Sequence, residues 1–307
     1  MKQRARLVII IPAGALSSKN RYEHMVDTIE SIQHYAGADH KIVIQDNSAP
    51  MHLGDRLGRH FPSVDVVRAP VNYGLFGGLY KSLSLALLHV HATYDYDVLM
   101  KMDTDALMTG AGIADDAIRF FADNPNVGEI GNHLFAGKGI EYPRDRARYE
   151  ASNLGWLRDR QRCSTMRLYM QQARANGWRD GEHILGGTAI YNPEFIKRLV
   201  NGDYLLREEL RRTMLQEDHL WGMLCYAVGM KIARFHIPEN PLAVVWKGLP
   251  RSPQALVEVG AKIVHSTRYW NGMNEDQIRA FFRHKRLAAP EVSQPQREEP
   301  DHAPVPA

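Results

Sequence analysis

The acidic triplet Asp103-Thr104-Asp105 is the part of this sequence whose residue types and spacing first suggest chemistry. It follows an apolar run at 97–102 that is typical of a buried strand. Alternate residues of a strand point the same way, so the two carboxylates project together beyond its end. Such a pair suits Mg²⁺ or Mn²⁺, which completes its shell with water and phosphate oxygens, as in a bound nucleoside diphosphate. The same residues also fit a solvated acidic turn, because aspartate often ends strands.

The sequence lacks three other motifs known for phosphate binding or metal catalysis. Glycines at 74, 77 and 78 precede Lys81, but a Walker loop needs glycine directly before the lysine, where Tyr80 stands. The first strand runs into Pro12 without the Gly-x-Gly-x-x-Gly spacing of a dinucleotide fold. None of the fourteen histidines forms the His-Glu-x-x-His pattern of a zinc hydrolase.

The composition indicates an ordinary globular protein. The chain has 307 residues, 44% of them hydrophobic and 24% charged, enough for one large core or two modest ones. A net charge of +3 is too small to indicate nucleic-acid binding. Cys163 and Cys225 lie far apart, which indicates neither a disulfide framework nor a thiolate zinc site. We see no transmembrane or signal-peptide pattern and expect a cytoplasmic protein.

Strand and helix patterns alternate in the first half of the chain. Apolar runs at 7–11 and 97–102 and β-branched runs at 41–45 and 64–68 predict strands, and helical spacing at 21–35 and 75–91 predicts helices between them. This alternation predicts an α/β fold with a mostly parallel central sheet flanked by helices. Ligands would bind at the edge where the strands end.

The second half is less regular. A helix is predicted at 114–122 and a strand at 127–131, after which the segment 141–179 interrupts the alternation for longer than an ordinary connection. An amphipathic helix is predicted at 218–228, capped by Gly229. We expect a single domain at 1–286, with a nucleotide-sugar-binding half at about 1–135 and an acceptor-binding half at about 136–286. The Pro- and Glu-rich tail at 287–307 is expected to be disordered.

Taken in order, these landmarks over residues 7–282 resemble the GT-A fold glycosyltransferases, particularly the inverting family-2-like enzymes. The resemblance implies that the first strand and its turn contact a nucleotide base and that Asp46 reads the base edge, although Asp46 alone also fits an ordinary turn. The residues that it assigns to the nucleotide-sugar donor are Pro12, Ala13, Asp46, Asn72, Gly74, Lys81, Asp103, Thr104 and Asp105.

The resemblance also implies the rest of the active site. Asp103, Asp105 and a late histidine, His265, would bind Mn²⁺ or Mg²⁺, with Asp105 as the main ligand. The glycine pair Gly186-Gly187 would lie beneath the acceptor. The pair Glu217-Asp218 would be catalytic, with Asp218 as the general base of an inverting transfer and Glu217 bonded to the donor sugar. Arg268 is a further positive charge for phosphate.

The implied donor is a UDP- or GDP-sugar, and the acceptor is a saccharide, a lipid-linked or a small molecule. The sequence of the long 141–179 segment does not identify the acceptor. The arginines of this segment fit either peripheral contact with a membrane or a solvated helical face. A retaining GT-A glycosyltransferase is the nearest alternative. More distant ones are a sugar nucleotidyltransferase, which needs a glycine-rich basic loop after the first strand, and a non-catalytic carbohydrate-binding protein.

Overall fold

The computed structural model describes residues 1–17, 20–235 and 241–288. The strands are β1 (Gln3–Ala13), β2 (His40–Asp46), β3 (Asp65–Arg68), β4 (Tyr94–Met102), β5 (Ala106–Met108), β6 (Val127–Leu134), β7 (His183–Tyr191), β8 (Lys231–Arg234), β9 (Leu242–Val244), β10 (Ile263–His265), β11 (Tyr269–Trp270) and β12 (Met273–Asn274). The helices are α1 (Tyr22–Tyr35), α2 (Leu53–His60), α3 (Gly77–Thr93), α4 (Ile113–Asp123), α5 (Lys138–Glu150), α6 (Asn153–Arg158), α7 (Arg160–Ala175), α8 (Pro193–Asn201), α9 (Glu217–Ala227), α10 (Pro253–Glu258) and α11 (Glu275–Ala288).

Seven strands form the central sheet, in the order β3-β2-β1-β4-β7-β6-β8. The neighbouring strands are parallel except at β7, which runs antiparallel to both β4 and β6. The predicted α/β class with a mostly parallel sheet flanked by helices is therefore confirmed. Because β1, β2 and β4 are parallel, their carboxyl ends meet at one edge of the sheet.

The sheet is covered on both faces, which explains why its strands read as continuous apolar runs. Along β1, Val8 and Ile10 join the core beneath α3, α7, α8 and α9, whereas Ile9 and Ile11 join the core beneath α1, α2 and α4. All 11 residues of α9 are buried. The helix predicted at 218–228 is present, but it is buried on all sides and not amphipathic, because α7 as well as β7 packs against it. Gly229, with φ of 78°, follows this helix in the expected left-handed conformation.

The 141–179 segment forms three helices that support the start of α9. The buried carboxylate of Glu150 in α5 accepts hydrogen bonds from the Thr213 hydroxyl at 2.5 Å and from the Met214 N–H at 2.8 Å. Arg162 in α7 donates to the carbonyl of Arg212 at 2.7 Å. These contacts fix the stretch of chain that leads into α9.

A small sheet, β5-β10-β9, lies beyond the end of β4. In it β10 pairs antiparallel with β5, so that His265 lies opposite Ala106 and next to the acidic triplet. Helix α11 continues to Ala288, so the predicted disordered tail does not begin at 287; its remainder, 289–307, lies outside the described residues. Within the part of the chain that the structure describes, no helix has the length and apolar character needed to cross a membrane.

Candidate active site

A cavity of about 440 Å³ opens at the carboxyl edge of the sheet, where β1, β2 and β4 end. Most of the residues predicted to bind the donor line it, namely Pro12, Ala13, Asn72, Gly74, Asp103, Thr104 and Asp105. Arg268 also lines it and extends into a second cavity of about 540 Å³. The second cavity is flanked by Trp246 and Tyr269, whose side chains are exposed.

Asp105 and His265 form the centre of the site. Nε2 of His265 lies 3.4 Å from Oδ1 of Asp105, and Nδ1 of the same ring donates to the Val245 carbonyl at 2.9 Å. Oδ2 of Asp105 accepts from the Ser266 hydroxyl and pairs with Nε of Arg268, each at 2.8 Å. Burial alone would raise the pKa of Asp105, but the bond and charge of His265 and the charge of Arg268 hold that pKa well below its usual range. Asp105 is therefore a carboxylate at neutral pH.

The adjacent glycines Gly186 and Gly187 contact residues on both sides of the site. A Cβ atom on residue 187 would lie 2.3 Å from Nδ1 of His265, and one on residue 186 would lie 3.0 Å from Oδ2 of Asp218. The first separation is shorter than real Cβ contacts and the second is at their limit. These glycines therefore make room for the predicted metal ligand and the predicted base, and the contacts supply a physical reason for the pair.

Lys101 connects the acidic triplet to α9, and sequence reasoning missed it. Its ammonium group is buried, 2.5 Å from Oδ1 of Asp103 and 3.1 Å from Oε1 of Glu217, and it donates to the Gly186 carbonyl. Burial would lower the pKa of Lys101, but the two carboxylates raise it, so the side chain stays charged. A lone lysine inside an apolar strand was the available signal.

The two carboxylates beside Lys101 are harder to ionise than usual. Burial raises the pKa of Asp103 to about 6, although the charge of Lys101 opposes the shift. Burial likewise raises the pKa of Glu217, again against the effect of Lys101. Removal of water, rather than repulsion between acids, is the main cause in both cases.

Asp218 lies in the first turn of α9 with its side chain largely buried. Its Oδ2 accepts from the N–H of Gly186 at 3.0 Å, and its Oδ1 accepts from the N–H of His219 at 2.9 Å. A carboxylate oxygen that accepts one hydrogen bond keeps a second lone pair. The arrangement fixes the orientation of Asp218 and leaves it able to accept a proton.

The backbone of the acidic triplet is held from behind by residues that sequence reasoning also missed. The carbonyl of Thr104 accepts from Arg279 of α11 at 2.7 Å and from the hydroxyl of Thr28 at 3.0 Å. The buried Arg279 also pairs with the buried Asp27 at 3.1 Å. Helices from both ends of the chain therefore fix the turn that carries Asp103 and Asp105.

Two of the residues predicted to bind the donor do not line this cavity. The carboxylate of Asp46 is buried and accepts from the N–H groups of Ser48 and Gly54, at 2.9 and 3.0 Å, so it organises the turn before α2 and is not placed to read a base. The neighbouring Asn47 lines the cavity and bonds to the backbone at Tyr73 and Gly74. Lys81 pairs with Glu208 away from the cavity.

The residues of the predicted metal site lie close together. One ligand atom from each of Asp103, Asp105 and His265 lies within 4.8 Å of the others. Two carboxylates and one imidazole suit a divalent cation such as Mn²⁺ or Mg²⁺. The bond from His265 to the Val245 carbonyl is the support that a metal-binding imidazole usually has. The donor set fits the predicted metal.

No family model matches this sequence, and no curated protein matches it. The chain is similar to solved glycosyltransferase structures. They include TarS 1-349 of S. aureus, with 14% identity, a TM-score of 0.42 and coverage of 75% of this chain and 57% of that one. The apo bifunctional glycosyltransferase WbbM has 12% identity, a TM-score of 0.46 and coverage of 94% and 50%.

A longer structure of S. aureus TarS has 15% identity, a TM-score of 0.42 and coverage of 92% and 44%. The chain thus spans about half of the length of these proteins. What this chain does has to follow from its own site residues.

Proposed function

We propose that this chain is a divalent-metal-dependent glycosyltransferase that moves a sugar from a nucleoside-diphosphate sugar to an acceptor hydroxyl with inversion. One observation carries the proposal: Gly186-Gly187 joins a metal-type cluster around Asp105 to an oriented carboxylate, Asp218. An inverting transfer needs these two functions on opposite sides of one sugar.

The donor would lie in the cavity at the strand ends. Pro12, Ala13 and Asn72 would contact the nucleoside, with Asn47 in the place first assigned to Asp46. Arg268, whose side chain is 48% exposed, is placed to turn from Asp105 to the diphosphate, since a guanidinium binds phosphate oxygens in a bidentate manner. A UDP- or GDP-sugar is the proposed donor.

Asp103, Asp105 and His265 would hold Mn²⁺ or Mg²⁺. A cation bound there supplies positive charge against the negative charge that develops on the departing diphosphate. The protein contributes the fixed ligands: Arg279 holds the turn, Val245 orients His265, and Lys101 balances the charge of Asp103.

Asp218 would accept the proton of the attacking hydroxyl. Hydrogen bonds from the N–H groups of Gly186 and His219 point its carboxylate in one direction. Glu217 is tied through Lys101 to Asp103 and would bond to the donor sugar. The acceptor hydroxyl would come from a saccharide, a lipid-linked or a small molecule.

Release of nucleoside diphosphate from a panel of UDP- and GDP-sugars, with Mn²⁺ and with a chelator, tests the assignment. We expect slow release from one sugar nucleotide that requires the metal and disappears in Asp105→Asn. The exposed Asp145→Asn is the matched control and should keep the rate. Absence of release from every sugar nucleotide, with and without candidate acceptors, would contradict the assignment. A product with retained anomeric configuration would contradict inversion alone.

A further inference from the structure

A second cluster of metal-ligand side chains includes Asp218 but none of the acidic triplet. His183, Asp218 and His219 each offer a ligand atom within 4.8 Å of the other two, and all three residues are buried. The two imidazole rings meet edge to face with centroids 4.4 Å apart. His183 begins β7 and the other two residues lie in the first turn of α9, so the cluster depends on the packing of that helix on that strand.

The ring nitrogens are arranged as in a metal site. Nδ1 of His183 bonds to the Gly181 carbonyl at 2.8 Å, which leaves Nε2 as a free acceptor, the arrangement usual for a metal-binding histidine. Within the described residues, Nδ1 of His219 is buried and has no hydrogen-bond partner. Nε2 of the same ring lies 3.6 Å from Oδ1 of Asp218, beyond hydrogen-bond distance. Burying an imidazole nitrogen without a hydrogen bond costs folding free energy unless another group, such as a metal ion, binds it.

Neighbouring residues hold the cluster together and cover it. Gly222, one turn along α9, lets the backbone of β7 approach, since a Cβ there would lie 2.9 Å from the Cα of His183. The ring of Tyr142, which is 46% exposed, packs on His219 with centroids 6.2 Å apart. The cluster is therefore covered on this side by a residue that solvent reaches.

We propose that His183, Asp218 and His219 form a second metal site, which binds Zn²⁺. Two imidazoles and one carboxylate form a set that zinc prefers, with a fourth position open to water, whereas the carboxylate-rich triplet suits Mn²⁺ or Mg²⁺. Zn²⁺ at this site binds the carboxylate of Asp218. If Asp218 is the base, which rests on the proposed function, zinc inhibits transfer while donor binding continues.

Zinc binding can be measured without any activity. The Asp105→Asn chain, which lacks the main ligand of the first site, is dialysed against Zn²⁺, and the bound metal is counted. We expect one Zn²⁺ per chain and a higher melting temperature with zinc, because a ligand bound only by the folded state stabilises it. Adding His183→Gln and His219→Gln should weaken binding at least about tenfold. The control His89→Gln alters a surface histidine that pairs with Asp65 and should leave binding unchanged.

If Asp105→Asn binds no stoichiometric zinc, the proposal is overturned without any histidine variant. The test therefore holds even if the chain that carries both histidine substitutions, here called the double variant, folds poorly. Equal zinc binding by the folded double variant also overturns it. Inhibition is measured at saturating Mn²⁺, with each chain's transfer rate expressed as a fraction of its own zinc-free rate. The zinc concentration that halves this rate should be at least about tenfold higher for His183→Gln than for the native chain. Zinc binding without any transferase activity would reject the proposed function alone. Transfer that is indifferent to bound zinc would reject the inhibitory role.

Discussion

Gly187 and His265 approach so closely that a Cβ atom on residue 187 would lie 2.3 Å from Nδ1 and 2.4 Å from Cε1 of the imidazole. The two residues lie on different sheets, β7 and β10, so the glycine sets how near the small sheet comes to the acidic triplet. The contact predicts that substitutions at the two adjacent glycines affect different steps, donor binding for Gly187 and transfer for Gly186.

Gly187→Ala should displace His265 and weaken Mn²⁺-dependent donor binding at least about tenfold, the range seen when the support of a metal ligand is lost. Gly186→Ala is the matched control because its Cβ would meet Asp218 instead. It should keep most donor affinity and lose transfer rate. Calorimetry and initial rates separate the two effects, and equal loss of donor binding in both variants would contradict this division of roles.

Lys101→Met should destabilise the fold strongly. The substitution leaves the buried Glu217 and the partly exposed Asp103 without their cation, and breaking a buried pair such as Lys101–Glu217 costs about 3–5 kcal/mol. Urea unfolding measures the loss. Lys197→Met is the control, since this lysine is exposed near Glu194, and it should change the free energy of unfolding by less than about 0.5 kcal/mol. A small effect of Lys101→Met would show that the carboxylates are not held by this charge.

Mn²⁺ affinity should fall as the pH drops below about 6. Asp103 has a pKa raised to about 6, and a cation must displace its proton before the carboxylate can bind. The free energy of unfolding changes with pH in the opposite direction. Because the pKa of Asp103 in the folded state lies above its usual 3.8, this group stabilises the fold below pH 3.8 and loses that contribution as the pH rises through 6. Calorimetric titrations from pH 5 to 8 measure the affinity. Asp103→Asn should bind weakly at every pH, and a pH dependence that survives in it would point to another group.

Arg279→Gln should weaken donor binding although Arg279 lines no part of the donor cavity. The variant loses the hydrogen bond to the Thr104 carbonyl that holds the acidic triplet. Arg283→Gln is the matched control, because Arg283 also pairs with Asp27, at 3.2 Å, but does not touch Thr104. Donor affinity with Mn²⁺ should fall several-fold in the first variant and stay unchanged in the second. Equal affinities would show that the turn holds its shape without Arg279.

The fold was predictable because its strands are buried on both faces. The run at 7–11 is apolar up to its final turn residues, and the run at 97–102 is apolar except for Asp97 and Lys101. Such runs are the pattern that a covered parallel sheet requires. Helix α2 was missed because only a few of its residues, Leu53 and Leu57 among them, are apolar and buried. The burial of α9 depends on α7, and a single helix pattern does not show what covers its second side.

The candidate site was predictable where residues follow strand ends, as Asp103 and Asp105 do. Lys101 and Arg279 were missed because their roles come from contacts far along the chain: Lys101 meets Glu217, and Arg279 meets Thr104. Asp46 was placed in the site by its position after a strand, but its side chain turns back to the N–H groups of the following turn. Spacing locates a residue on an edge and does not decide which partner its side chain takes.

Binding of the sugar nucleotide that gives nucleoside diphosphate release tests the central claim most directly. Calorimetry compares the native chain in Mn²⁺, the native chain after chelation, and Asp105→Asn in Mn²⁺. We predict tight binding in the first case and affinity weaker by on the order of 100-fold in the other two, because the metal and its main ligand are both needed. Unchanged affinity in Asp105→Asn would contradict the assignment of Asp105, with His265, as the metal-binding centre of the donor site.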